Sequence, residues 1–251
     1  MAYCQLVTWN LRYAWDSDGA NSFIHRAGLV LETISEACPD IIAFQEVLPQ
    51  TAAFLRRHLP DYTMIYSGRN PDLKGEGLCL ALRRDQVELM TLDRFWLSPT
   101  PREPGSRYPQ QSPNPRVCQL ASVLVEDTPL WVCNNHLDDL SETARLLGIG
   151  QVLDHVATHR EPAAPLLLCG DLNATPESPV VARCRESGLV DLTADSGGTF
   201  HDFGRRQPVK LDYIFGDAAA AARPHVMAVW RDEVNGIYLS DHYPVSVTVD
   251  L

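Results

Sequence analysis

The feature that most restricts what this chain can fold into is a recurring one: short apolar runs, each closed by a polar or ionisable residue. Residues 4–11 end in Thr8, Trp9, Asn10 and Leu11, and residues 41–47 carry Glu46 near their end. Residues 130–133 run into Asn134, Asn135 and His136, and residues 166–169 are followed by Gly170, Asp171, Leu172 and Asn173. Asp212 precedes another apolar run, and Asp241 and His242 lead into a last alternating stretch that reaches Val249. Runs this short, bounded by turn residues, read as buried strands. None approaches the roughly 20 apolar residues of a membrane span. Side chains two apart on a strand share a face, so Asp171 and Asn173 point the same way just before a loop. Singly, such residues also arise as Asx turns, and Glu46 as the acid of a buried ion pair. Their repetition at strand ends is what makes a site of them.

Between the runs the period changes. Phe23, Ala27, Val30, Leu31 and Ile34 recur at helical spacing over residues 21–37, before Pro39 and Asp40. A short helix is expected over 49–59, and a long one after Ser141, its N-cap, to about His159, with Ala144, Leu147, Ile149, Val152 and Leu153 on its apolar side. Another is expected over 178–187. Strands are expected over 62–66 and 78–82, a strand pair over 87–97, and a hairpin from 118 to 133. The stretch 217–222, mostly alanine, reads as a surface loop or a short helical turn. Residues 98–116, rich in proline and holding Arg102, Arg107 and Arg116, show no period; a loop this long is functional or disordered. Strand patterns resume on both sides of it, so it is no domain linker. With 251 residues, 45% of them hydrophobic, and no internal repeat, a single domain spanning 1–251 is expected.

The formal net charge of −11 argues against a broad grip on duplex DNA, which needs clustered cations. It leaves room for an anionic substrate, since a bound metal supplies local positive charge. The seven cysteines form no CxxC pair, and Cys79, Cys133 and Cys169 sit within apolar runs. They read as small buried hydrophobes of a reducing compartment rather than a disulfide framework or zinc site. The N-terminus has no basic region followed by an apolar segment, so a cytoplasmic location is expected. Asn10, Glu46, His136, Asp171, Asn173, Asp212, Asp241 and His242 together offer hard oxygen donors and two imidazoles, without a thiolate cluster. Oxygen donors suit Mg²⁺ or Mn²⁺.

The order W-N, Q-E, N-H-L, G-D-L-N-A-T-P-E-S, L-D-Y-I-F and S-D-H-Y-P-V, spread from Asn10 to Val245, resembles the endonuclease/exonuclease/phosphatase superfamily. The resemblance implies an α/β (α+β) four-layer sandwich, two mixed β-sheets packed face to face and flanked by helices. It implies a divalent-metal-dependent hydrolase of phosphate esters, most readily a phosphodiesterase, using in-line attack of an activated water. A nuclease or deadenylase acting on single strands, a lipid or inositol phosphatase, and a non-catalytic module on the same fold are the alternatives. Carried over residue by residue, it makes Glu46 the principal metal carboxylate, with Asn10 beside it and Asp241 binding directly or through water. Asp171 and Asn173 would position or deprotonate the attacking water. His242 would contact the scissile phosphate, held by Asp212, and His136 would face the phosphate from the other side. Glu76 would pair with His136, and Arg116 could clamp a phosphate oxygen. The chain departs from family patterns at Arg12, where AP endonucleases often carry an acid, and at Asn134-Asn135-His136-Leu137-Asp138-Asp139, where many bacterial relatives read N-T-H-x-D-H.

Overall fold

The structure is a computed structural model and describes residues 2–251. In chain order the elements are β1 (Tyr3–Asn10), α1 (Phe23–Ala37), β2 (Ile41–Val47), α2 (Pro49–His58), β3 (Tyr62–Gly68), β4 (Gly77–Arg83) and β5 (Val87–Trp96). There follow β6 (Val117–Val125), β7 (Thr128–His136), α3 (Glu142–His159), β8 (Leu166–Asp171), α4 (Pro179–Glu186) and β9 (Val190–Asp191). The chain closes with β10 (Asp212–Gly216), α5 (Ala218–Ala221), β11 (His225–Val229), β12 (Glu233–Val234), β13 (Ile237–Tyr238) and β14 (Val245–Asp250).

Two six-stranded sheets carry the fold, in the orders β11-β14-β1-β2-β4-β3 and β5-β6-β7-β8-β10-β9. Each is mixed, with one parallel pair among antiparallel ones: β1 with β2, and β7 with β8. Leu6, Ile41, Ala43 and Val247 from the first sheet meet Val123, Val132, Leu167 and Ile214 from the second in one buried cluster. The outer face of the first sheet packs Trp9, Ile42 and Phe44 against Phe23, Val30 and Ile34 of α1 and Leu55 of α2. That of the second packs Leu166, Leu168 and Phe215 against Ile149 and Val152 of α3 and Val180 and Cys184 of α4. The result is the expected four-layer sandwich. Strands covered on both faces must be apolar on both faces, which explains continuous runs such as residues 41–44 of β2 in place of strict alternation.

The helix signals act where the sequence places them. Ser141 Oγ accepts from the Ala144 amide at 3.2 Å, Ser178 Oγ from Val181 at 3.3 Å and an Asp217 carboxylate oxygen from Ala220 at 3.0 Å. The stretch 217–222 thus holds a single helical turn. Where a pair was expected over 87–97, residues 87–96 form one strand, with a register shift against β6 between Leu89 and Thr91. The edge strand β11 and the β12–β13 hairpin have no counterpart in the sequence reading. Their side chains are largely exposed, so no apolar pattern marks them. All seven cysteines are free and only Cys38 is exposed. Among the described residues, no helix is long and apolar enough to cross a membrane.

Candidate active site

Topology explains why scattered residues meet. The parallel pairs β1–β2 and β7–β8 bring four strand ends to one edge of the sandwich. Asn10 lies opposite Gln45, beside Glu46, and His136 lies opposite Asp171. Antiparallel β10 begins at this edge, with Asp212 opposite Asp171. The segment before β14 brings Asp241 and His242. Glu46, His136, Asp171, Asn173, Asp241 and His242 line one cleft of about 400 Å³, together with Arg12, Arg69, Glu76 and Arg116.

The close approach of β7 and β8 needs Gly170. Its φ is 141°, and a Cβ there would lie 1.9 Å from the Asn135 carbonyl oxygen. Past it, Asp171 is held from two sides. Its Oδ1 accepts from the Asn173 amide at 2.8 Å and its Oδ2 from Asn10 Nδ2 at 3.0 Å. Asn10 Nδ2 also donates to Glu46 Oε1 at 3.1 Å, so one amide joins both carboxylates. Glu46 and Asn173 have φ of 57° and 48°, left-handed backbone that is costly for residues with a Cβ. At Glu46 it coincides with a bulge in the β2–β4 ladder, which turns the side chain into the cleft.

The two histidines differ in charge. His242 Nδ1 donates to Asp212 Oδ2 at 2.8 Å, leaving Nε2 3.8 Å from Asp171 Oδ2. Burial alone would depress this imidazole, but the Asp212 carboxylate, with Asp171 and Asp241, outweighs it and raises the pKa to about 10. His242 is therefore an imidazolium at neutral pH. His136 is neutral: burial, with Arg116 and Arg69 nearby, holds it well below the usual histidine range. Asn173 Nδ2 donates to the Leu137 carbonyl at 3.1 Å, which fixes its orientation, and its other hydrogen faces His136 Nε2 at 3.1 Å. That places the His136 proton on Nδ1. Burial, then the Asp212 charge, pushes Asp171 up to about 7. Burial likewise raises Asp241.

Two groups of residues could hold a cation. Asp171, Asp212 and His242 offer donor atoms within 4.8 Å of one another. In that group Asp171 is bonded to Asn10 and Asn173, and Asp212 Oδ2 to His242, while Asp212 Oδ1 is buried without a partner; an ion there would sit against the positive charge of His242. The opposite wall fits better. Glu46 accepts only from Asn10 and the Tyr13 amide, and Asp241 Oδ1 accepts from Ser240 Oγ at 3.1 Å. Arg12 Nε lies 3.8 Å from Asp241 Oδ2, yet its guanidinium is bonded to Asp18 at 2.8 Å. These are oxygen donors with spare lone pairs, a set suited to a hard divalent ion.

Glu76 does not pair with His136 as expected; it forms an ion pair with Arg69. Both carboxylate and guanidinium line the same wall as His136, and the cation wins because a charged partner neutralises a buried acid better than a neutral imidazole can. Arg116 is bonded to Asp139 Oδ1 at 2.8 Å, while its Nε and Nη1 are buried without a partner.

Several residues that shape the site carried no sequence signal. Thr199 Oγ1 accepts from the amides of Leu211 and Asp212 at 3.0 and 3.2 Å, and its carbonyl accepts from Tyr243 at 2.9 Å. It thereby ties the Asp212 strand to the segment carrying His242. Buried Arg26, on α1, donates to the carbonyls of Leu11 and Leu239, fixing the backbone that flanks Asn10 and Asp241. Between the sheets, Gln45 Nε2 donates to Asn134 Oδ1 at 2.9 Å and Asn134 Nδ2 to Gln119 Oε1 at 3.2 Å, a polar floor under the cleft. Gln45 lies within the Q-E motif and Asn134 directly precedes N-H-L; the others are single polar residues far apart in sequence.

The fold has counterparts among known proteins. The model of the "Endonuclease/Exonuclease/phosphatase family" matches residues 7–242. No curated protein matches the chain significantly. A solved endonuclease/exonuclease/phosphatase from Bacteroides vulgatus is 26% identical over 100% of both chains, with a TM-score of 0.87. A mannosyl-6-phosphatase from Bacteroides thetaiotaomicron is 23% identical over 99% of this chain and 100% of its own, with a TM-score of 0.84. TDP2 from D. rerio, complexed with single strand DNA product, is 18% identical over 100% of both chains at 0.78. With a match spanning nearly the whole sequence, the chain belongs to the endonuclease/exonuclease/phosphatase family.

Proposed function

We propose that the protein is a divalent-metal-dependent phosphoesterase that hydrolyses its substrate by in-line attack of water. The observation that carries this reading is the hydrogen-bonded line Asn10–Asp171 and Asp212–His242, with Asp171 and His242 facing each other across 3.8 Å. Asp171, poised near neutrality, accepts the proton of the attacking water, while Asn173 and Asn10 hold the carboxylate in place. His242, kept protonated by Asp212, donates to a phosphoryl oxygen and neutralises charge that grows as the ester bond breaks. Neutral His136 lines the cleft with its Nε2 3.5 Å from Asp171 Oδ2 and 3.1 Å from Asn173 Nδ2. Family enzymes typically use divalent metals. A cation held by Glu46 and Asp241, with Asn10 beside them, would supply positive charge against the phosphoryl oxygens. Mg²⁺ or Mn²⁺ fits the oxygen donors.

Charge bears on the substrate. At −11, the chain has no general attraction for long nucleic acid, so a small phosphate ester fits better than a duplex. The mannosyl-6-phosphatase and the TDP2–DNA complex among structural neighbours bracket the range, from sugar phosphate to single-stranded DNA. The test is hydrolysis of p-nitrophenyl phosphate and bis(p-nitrophenyl) phosphate with Mg²⁺ or Mn²⁺. Chelation should abolish it, and Asp171→Ala or His242→Ala should lower kcat by about 10²-fold or more. Turnover that survives chelation and both substitutions would sink the proposal.

A further inference from the structure

Arg12 lines the cleft without a part in the chemistry above, and unusual backbone places it there. Its φ is 61°, left-handed for a residue with a Cβ. Its amide donates to Asn10 Oδ1 at 3.0 Å, and the next amide, of Tyr13, donates to Glu46 Oε2 at 3.1 Å. This tight turn after β1 lays the Arg12 side chain along the cleft, with its guanidinium carbon 4.8 Å from the centre of the Tyr13 ring. Asp18 grips the guanidinium: Nε donates to Oδ2 at 2.8 Å and Nη2 to Oδ1 at 3.2 Å. Asp18 leads into a single 3₁₀ turn, Gly19–Asn21, and its side chain caps nothing there, so both its oxygens serve Arg12.

A second carboxylate lies on the other side, with Asp241 Oδ2 3.8 Å from Arg12 Nε. The side chains of Asp18 and Asp241 are 13% and 8% exposed, so water screens neither well. Other cations of the cleft are matched with one acid each: Arg69 with Glu76, Arg116 with Asp139 and His242 with Asp212. Arg12 instead stands between two. A pair of shielded carboxylates on either side of one positive charge is also how oxygen ligands hold a hard divalent ion. Here the charge is part of the chain. An arginine stays protonated, and a metal ion at the same oxygens would meet like charge within a few ångströms.

We propose that Arg12 is a resident cation: its guanidinium fills the place between Asp18 and Asp241 that a second metal ion would otherwise take, and so confines the cleft to one ion, at Glu46 and Asp241. The inference deepens the metal-dependent reading and rests on it for that one ion. It also gives the arginine a part in the chemistry. The guanidinium supplies permanent positive charge at the cleft wall, but it cannot bind and ionise a water as a metal can. Deprotonation of the attacking water therefore stays with Asp171.

The test counts ions and needs no turnover. Mn²⁺ is titrated into the full chain, and free Mn²⁺ is read by electron paramagnetic resonance. Bound equivalents are taken above those retained by the Glu46→Gln/Asp241→Asn protein, which corrects for ions scattered over an acidic surface. Circular dichroism checks that each variant folds. Wild type and Arg12→Lys, which keeps the charge, should each bind one ion. Arg12→Ala should bind two, because Asp18 and Asp241 then face each other without a cation. Should that variant fail to fold, Arg12→Gln carries the same expectation. Arg12→Ala/Asp18→Asn should return to one. An arginine that served only to hold the turn would, on removal, leave a weaker site or none, never an added ion that depends on Asp18. Two ions in the wild type, one ion in the folded neutral variant, or a second ion that survives the loss of Asp18 would overturn the inference alone. A wild type that binds no ion above the reference would sink the metal-dependent reading, and the inference with it.

Discussion

Asp212→Asn isolates the group that gives His242 its charge. Asp212 is 1% exposed, and its Oδ2 accepts from His242 Nδ1 at 2.8 Å. With a pKa of about 10 in the folded chain, against an ordinary value near 6.5, His242 is stabilised at pH 7 by about 4 kcal/mol through its protonation. Asp212, Asp171 and Asp241 share that figure, with Asp212 the largest contributor. The sign follows from the direction of the shift. The contribution is fully present below about pH 6.5 and is lost as pH rises toward 10. In Asp212→Asn, burial prevails over the remaining carboxylates, so the imidazole tends toward neutrality at pH 7, and an amide hydrogen turned toward Nδ1 would favour the wrong tautomer. We expect kcat to fall by about 10²- to 10⁴-fold with KM changed much less. Urea denaturation between pH 6.5 and 10 should show a steep loss of stability in the wild type and a flatter profile in the variant. A kcat within threefold of wild type, or identical pH profiles for the two proteins, would refute the assignment of His242 as a carboxylate-held imidazolium.

Other substitutions probe the scaffold. Gly170→Ala forces a Cβ against the Asn135 carbonyl at a φ of 141°, and should cost more than about 2 kcal/mol, read as a drop in Tm. An unchanged Tm would mean that β7 and β8 can separate freely. Thr199→Val keeps the shape but strands the amides of Leu211 and Asp212. It should destabilise by about 1–3 kcal/mol and lower kcat more than it raises KM, since it displaces Asp212. Full activity in that variant would separate Thr199 from the positioning of His242.

The sequence alone determined a good deal. Apolar runs ending in Asn10, Glu46, His136 and Asp171 announced strands whose ends carry the chemistry, because a buried strand tolerates polar groups only where it leaves the core. The cap at Ser141 and the helical period over α1 were legible because they depend on neighbours three or four residues away. The two-sheet architecture came from the resemblance rather than from periodicity, since runs buried on both faces do not reveal which sheet they join. Only tertiary structure decided the rest. It paired Glu76 with Arg69 across the β3–β4 connection and left Arg116 with open hydrogens, outcomes of how each loop folds back that no period in the sequence records. It made His242 charged and His136 neutral, although both are histidines at strand ends, because Asp212 reaches only the first. It also recruited Thr199 and Arg26 as braces. Charge state and hydrogen bonding depend on what lies within a few ångströms in space, and that neighbourhood is fixed only when the sheets close on each other.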